Sequence, residues 1–303
     1  MTGLKLLRRA ALPGILALTL ITAARAQQSY PTPEDAASAL AAAAKSGPRD
    51  VLKVLGRAAD DIVSSGDEVA DADIRARFAS MYDAKHAIKA EGNKKATLVL
   101  GPDDFPFPIP LVNTKAGWEF DTDEGRIEVL RRRIGRNELD AIQTALAYVD
   151  AQNEYADKDR GEGAGIYAQR FLSTSGKKDG LFWRDDSDPS PLGPLVAEAS
   201  AEGYKRGERL APYHGYHFRI LKGQGSDAPG GALNYVVKGK MIGGFGLIAW
   251  PAEYGNSGVM TFVVNHAGTV YEKDLGARTD FIAPRTTLFD PDQTWKKVDA
   301  AKP

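Results

Sequence analysis

The chain contains no cysteine. Disulfides, thiol nucleophiles and thiolate metal sites are thereby excluded, and stability must come from the apolar core alone. Charge of one sign is also missing: 39 basic residues face 40 acidic ones, a formal net charge of −1. That balance excludes a nucleic-acid binder recognisable from bulk electrostatics, and a protein drawn to anionic lipid surfaces. After residue 26 no apolar run reaches the about 20 residues that a spanning helix needs. Histidine is scarce, limited to His86, His214, His217 and His266.

The first 26 residues are different in kind. Lys5, Arg8 and Arg9 make a positive start, Ala10 to Ala23 is apolar, and Ala24-Arg25-Ala26 places small residues where a signal peptidase reads. No Phe-Leu-Lys follows Arg8-Arg9, so ordinary secretion is expected over the twin-arginine route. The expected mature chain starts near Gln27 and resides in the periplasm or outside the cell. Without Lys5, Arg8, Arg9 and Arg25, 35 basic residues remain against 40 acidic, a balance of −5.

The mature sequence reads as α+β. Thr32-Pro33-Glu34-Asp35 opens a helix carrying Ala36, Leu40 and Ala44, and a second short helix spans about Arg49 to Gly56. A third, from about Asp71 to Ala90, aligns Ile74, Phe78, Met81 and Ile88 on one face. Ala96 to Leu100 then reads as a strand, and Trp118 and Phe120 point inward from another. Between them Phe105, Phe107, Ile109 and Leu111 alternate with three prolines, which restricts that segment to an edge strand or an extended one. Together these form a small helix-plus-antiparallel-sheet unit over 27–125, similar in pattern to NTF2-like or cystatin-like units.

Residues 126–136 hold Arg126, Arg131, Arg132, Arg133 and Arg136. The run reads as a solvated helical connector matched by Asp121, Asp123, Glu124 and Glu128. Its functional alternative is an anion- or polymer-binding patch. A long helix is expected from Asn137, as N-cap, to Tyr155. Leu139, Ile142, Leu146 and Val149 form one stripe of it, and Ala141, Ala145, Tyr148 and Gln152 a second beside it. Strands follow at about 216–222, 233–237, 244–250, 259–265 and 269–273, giving a second unit, 137–276, of one helix packed on an antiparallel meander. The tail, 277–303, carries Phe281, Leu288, Phe289 and Trp295 but little periodic pattern.

No stretch carries a strong catalytic or metal signature. His214-x-x-His217 is the only histidine pair, and strand residues three apart face opposite ways. Zinc wants three or four ligands, and no third is implied, so the pair reads as an aromatic strand entrance. Asp157-x-Asp159 lacks the later carboxylates of a calcium loop. Gly239, Gly243, Gly244 and Gly246 lack the strand–GxGxxG–helix order, and Gly255-Asn256-Ser257-Gly258 precedes a strand, so it is a turn. No cofactor is implied.

Two groups of residues stand as site candidates. Trp250, Glu253 and Tyr254, with Tyr213, His214 and Tyr216, have the composition of a contact surface for a partner protein or an envelope polymer. Their other reading is cover for the edge of the core. Tyr82, Asp83, His86 and Asp103 are the polar groups available to a hydrolase or isomerase site in the first unit, and they would have to converge to serve it.

Several long motifs carry a family resemblance: IGRNELDAIQTALAYVDAQNEYA, YAQRFLST, SPLGPLVAEA, PYHGYHFRIL and MIGGFGLIAWPAEYGNSGVMTFVVNHAGTVYEKDLG, in that order. They resemble a family of exported bacterial proteins defined by a domain of unknown function, of the DUF2950 type, over nearly all of the mature chain. The resemblance implies export and assigns no chemistry. A second one, through Ala151-Gln152, Gly215-Tyr216, Pro251 and Gly268-Thr269-Val270-Tyr271, is to the globular half of type IV pilin-like proteins. Here the helix is internal and amphipathic, so a filament is not implied. The expected function is a non-enzymatic binding or assembly module of the cell envelope.

Overall fold

A computed structural model of the protein describes residues 27–161, 163–185, 187–202, 204 and 212–299. The expected leader, 1–26, lies outside the described residues, as do Glu162 and 300–303.

Helix α1 (Pro33–Ser46) starts as its sequence dictates, with the Thr32 hydroxyl accepting from the Asp35 N–H at 3.0 Å. It ends at Gly47, whose φ of 139° a side chain would resist. Helices α2 (Pro48–Leu55) and α3 (Asp60–Val63) follow, and α4 (Glu68–Ala84) is capped by Asp67. α4 stops six residues before the expected Ala90. Residues His86–Glu91 instead form β1, paired antiparallel with β2 (Lys95–Leu100) from His86↔Leu100 to Glu91↔Lys95. Pairing to a neighbour overrides the helical propensity of that alanine- and lysine-bearing segment.

β3 (Phe105–Pro106) touches β2 for two residues, and β4 (Leu111–Thr114) and β5 (Gly117–Phe120) complete a sheet in the order β1-β2-β4-β5. The proline-rich stretch thus pairs only at its ends. Ile109, Leu111 and Phe120 are buried as expected, whereas Phe105 is exposed.

A single helix, α5 (Thr122–Ala156), then runs for 35 residues, roughly 50 Å, through the whole arginine-rich connector. Its cap is Asp121, which accepts from the Glu124 N–H at 3.0 Å. Asn137 is therefore not a cap: it lies inside the helix, buried, and donates to the Ser257 carbonyl at 2.9 Å. Leu139 is 64% exposed, so the first expected stripe fails at its start. The second holds: Ala141, Ala145, Tyr148 and Gln152 are buried.

After α6 (Gly193–Glu202) come β6 (Tyr216–Leu221), β7 (Gly223–Gln224), β8 (Leu233–Asn234), β9 (Val236–Val237), β10 (Lys240–Met241), β11 (Gly246–Pro251), β12 (Met260–Asn265), β13 (Val270–Asp274), the short helix α7 (Thr279–Ile282) and β14 (Lys296–Lys297). The second sheet is antiparallel, ordered β14-β13-β12-β11-β6. The second half of α5 covers one face, where Tyr148, Tyr216, Phe245 and Phe262 fill the core. The tail covers the other face: Ala283 and Phe289 are buried against Ile248, Trp250 and Tyr271, and Arg219 of β6 donates to the carbonyls of Ala283, Pro284 and Thr286. Every residue of β11 is buried for that reason, since both faces of the strand are covered. The fold is α+β.

Candidate functional site

The first half of α5 meets its sheet closely at one point. A Cβ at Gly125 would lie 2.6 Å from the Ile109 Cα, so only glycine fits there. Further along the same face, Val129, Arg132, Arg133 and Arg136 line a cleft instead. α4 forms the opposite wall with Ile74, Phe78 and Met81, three of the four residues expected to share a helical face; the fourth, Ile88, lies in β1. Leu40 and Ala44 of α1, Val51 and Leu55 of α2, and Leu100, Phe107 and Ile109 from the sheet segments complete it. The cleft has a volume of about 520 Å³, inside the range of ligand pockets. Fifteen of its 21 lining residues are apolar, and the other six are Asp71, Arg75, Arg77, Arg132, Arg133 and Arg136.

These charges are unevenly partnered. Arg77 pairs with Asp73 at 2.7 Å on the exposed helix surface, and Arg132 with Glu128 at 2.7 Å while its guanidinium lies 5.0 Å from the Phe105 ring centre. Arg75 and Arg136 have neither hydrogen bond nor ion pair among the described residues. Asp71 is held by Ser65, which donates through its N–H at 2.9 Å and its hydroxyl at 2.8 Å. Burial lifts the Asp71 carboxyl above its usual range, against those two hydrogen bonds. Arg133 is 4% exposed and has no ion-pair partner within 4 Å among the described residues. It donates to the Asp61 carbonyl at 2.8 Å, the Asn256 side-chain oxygen at 2.5 Å and the Ile62 carbonyl, and its Nε has no partner. Burial lowers its pKa, and nearby Asp71 and Asp61 act the other way.

Arg133 also belongs to a polar seam joining the two sheets' units. Asn256 accepts from Arg133 and donates to the Ser64 carbonyl at 3.0 Å and to Glu253 at 2.8 Å. Asp67 accepts from the Tyr204 hydroxyl at 2.8 Å and the Gly215 N–H at 2.9 Å. Gly215 (φ 74°) packs against Asn137, where a side chain would collide. His214 bridges Asp140 of α5 at 3.2 Å and Glu202 of α6 at 2.7 Å. Burial alone would lower the His214 imidazole, but the two carboxylates outweigh it and raise it to about 9.

Of the residues nominated from sequence, Trp250 and Tyr216 do not offer a contact surface. Trp250 is 6% exposed, packed beside His217 and Arg219, and Tyr216 is fully buried with its hydroxyl on the Met260 carbonyl. They cover core, the other reading of that aromatic loop. Tyr254 is partly exposed and donates to Asp274 at 3.2 Å, and Glu253 is spent on Asn256. Tyr213 stacks on His214 with ring centres 4.1 Å apart. The hydrolase candidates do not converge. Tyr82 and His86 stack at 3.7 Å with His86 Nδ1 on the Tyr82 carbonyl, Asp83 pairs with Lys45, and Asp103 is exposed on the β2–β3 loop. None of the four lines the cleft. Asp159 accepts from the Gly161 and Gly163 N–H groups, and among the described residues no set of three or more His, Asp or Glu side chains is placed to hold a metal ion.

By its sequence the arginine run reads as a solvated face. That holds for Arg131 and Arg132, which pair with Glu128, and fails for Arg133. A usable signal was present. Counting back in fours from Ala145 and Ala141 gives Asn137, Arg133, Val129 and Gly125, so the buried stripe continues through the charged run.

The chain belongs to the family described as Protein of unknown function (DUF2950), whose model matches residues 27–298. No curated protein and no solved structure matches it. Among the described residues no helix is long and apolar enough to cross a membrane.

Proposed function

We propose that the protein is an exported, non-enzymatic binding module of the cell envelope, and that its ligand site is the cleft between α4 and the first half of α5. The observation that carries this reading is an apolar cleft of about 520 Å³ beside the core of the first unit. An evolved core is close-packed, so a lined hollow of ligand size marks a place meant to be filled by something else. The basic start, apolar run and Ala-x-Ala site of residues 1–26 support export. The two units, NTF2-like and pilin-like in their element order, serve in this reading as a body that holds the cleft walls apart. The aromatic loop at Trp250–Tyr254 is part of that body.

The reading is tested with N-phenyl-1-naphthylamine, an uncharged probe that fluoresces in apolar surroundings. Mature protein is expected to bind it saturably at one site, with Val129→Trp abolishing binding by filling the cleft and Tyr254→Ala leaving it unchanged. No binding, or equal binding by the Val129→Trp variant, would refute the cleft as the site.

A further inference from the structure

The cleft is apolar in its walls and basic at its mouth, and the two features share one space. Arg75 of α4 and Arg136 of α5 both line it, and neither has a partner among the described residues. Arg133 holds a buried charge that donates to carbonyls and an amide oxygen, with no carboxylate in ion-pair range among the described residues. The one acidic lining residue, Asp71, has both carboxylate oxygens bound to Ser65. Arg136 repels the buried Arg133, and Arg75 adds a third guanidinium to the lining of the same hollow, whose low-dielectric walls strengthen such repulsion. An anion seated among them turns the same arrangement into attraction, and planar guanidinium forks suit a carboxylate or phosphate. The local field is positive although the chain as a whole is not.

Resting on the cleft as the ligand site, we infer that its ligand is a single-chain anionic amphiphile: an acyl chain along Phe78, Phe107, Ile109 and Val129, with its carboxylate at Arg75 and Arg136. The cleft volume accommodates one chain, and a free amphiphile rather than a membrane surface is the occupant, because the deeper apolar walls at Leu40, Val51, Leu55, Leu100 and Ile109 are buried within the unit.

Displacement of bound N-phenyl-1-naphthylamine tests this, with dodecanoate, dodecanol and dodecyltrimethylammonium each below micellar concentration. Dodecanoate is expected to displace the probe at a concentration about tenfold lower than dodecanol, and the cation to be the weakest. The Arg75→Gln/Arg136→Gln double variant is expected to lose the preference for dodecanoate while keeping dodecanol displacement. Neither side chain has a hydrogen bond or ion pair among the described residues, and an unchanged melting temperature verifies that the double variant keeps the fold. Equal displacement by acid and alcohol, or an unaltered preference in the double variant, overturns the head-group assignment while the cleft stands as a neutral site. Tight capture by anionic vesicles with no response to monomeric dodecanoate overturns it in favour of a membrane surface. If the probe does not bind, calorimetry with dodecanoate alone decides, and absence of heat removes the cleft as well as its ligand.

Discussion

The two halves of α5 lie on two sheets and reach opposite outcomes. Beyond Asn137 the buried stripe consists of Ala141, Ala145, Tyr148 and Gln152. The alanines let the helix approach the second sheet, and Tyr148 fills what remains while its hydroxyl donates to the Gly246 carbonyl at 3.1 Å. Gln152 donates to Tyr148 and to the Ala168 carbonyl and accepts from the Ala168 N–H, so the polar group in the core is satisfied. Before Asn137 the same stripe reads Gly125, Val129, Arg133. Glycine gives contact at one point, Val129 is small, and Arg133 is drawn to the seam by Asp61, Ile62 and Asn256, so the space is not closed. A single helix therefore seals one core and props another open, and the difference is side-chain volume and charge at matched helical phase.

The largest expected effect separates the halves physically. A fragment from residue 137 onward loses Arg133, Asp67 and Ser64 and strands Asn256, Asn137 and Gly215 at a solvent-facing seam. It is expected to show no cooperative urea transition by circular dichroism, whereas a fragment that folds with native-like stability would make the two units independent. Next is Arg133→Ala, which leaves the Asp61 and Ile62 carbonyls and the Asn256 amide oxygen without their donor, at a cost of about 3 kcal/mol. Equilibrium urea denaturation measures it. Overpacking then contrasts the two halves: Ala145→Leu is expected to cost about 1–3 kcal/mol, and Val129→Leu, facing the cleft, less than about 0.5 kcal/mol. Similar costs at both positions would mean that the cleft closes in solution.

The smallest effect concerns the seam's histidine. His214 is raised in the folded state from 6.5 to about 9, so its contribution is fully present below the unfolded value and is lost as pH rises through the folded one. His214 meets Asp140, Glu202, Tyr204 and Tyr213 there. With solvent screening discounted, its loss in His214→Gln is expected to cost about 1 kcal/mol. Thermal melts at about pH 6 should separate variant from wild type, and melts at about pH 10 should bring them together.

Much of the architecture was legible. The Thr32-Pro33 cap, the α4 stripe as far as Met81, the Ala141–Gln152 stripe and the strands near 216–221, 246–251, 260–265 and 270–274 each arise from local chemistry of one element, whereas the expected strand 233–237 splits into β8 and β9, outside the five-stranded sheet. His86–Glu91 was not, because its helical residues are strand only through pairing with β2. The tail was not either: Ala283 and Phe289 are core only because the second sheet presents a bare face to them. The candidate site was missed for a related reason. Arg75, Arg133 and Arg136 come from two helices about 60 residues apart in sequence, and a charge run alone does not tell a solvated face from a pocket rim.

By itself the sequence determined most element types, the α+β class, the absence of thiol chemistry and the apolar run near its start, since each depends on composition, caps and periods of 2 or 3.6 residues. The tertiary structure decided which aromatic residues are surface and which are core, that Asn137 is a joint instead of a cap, and where space is left unfilled. Those properties depend on how far one element stands from the next, and that distance is set by the sum of side chains between them, which no single stretch of the chain contains.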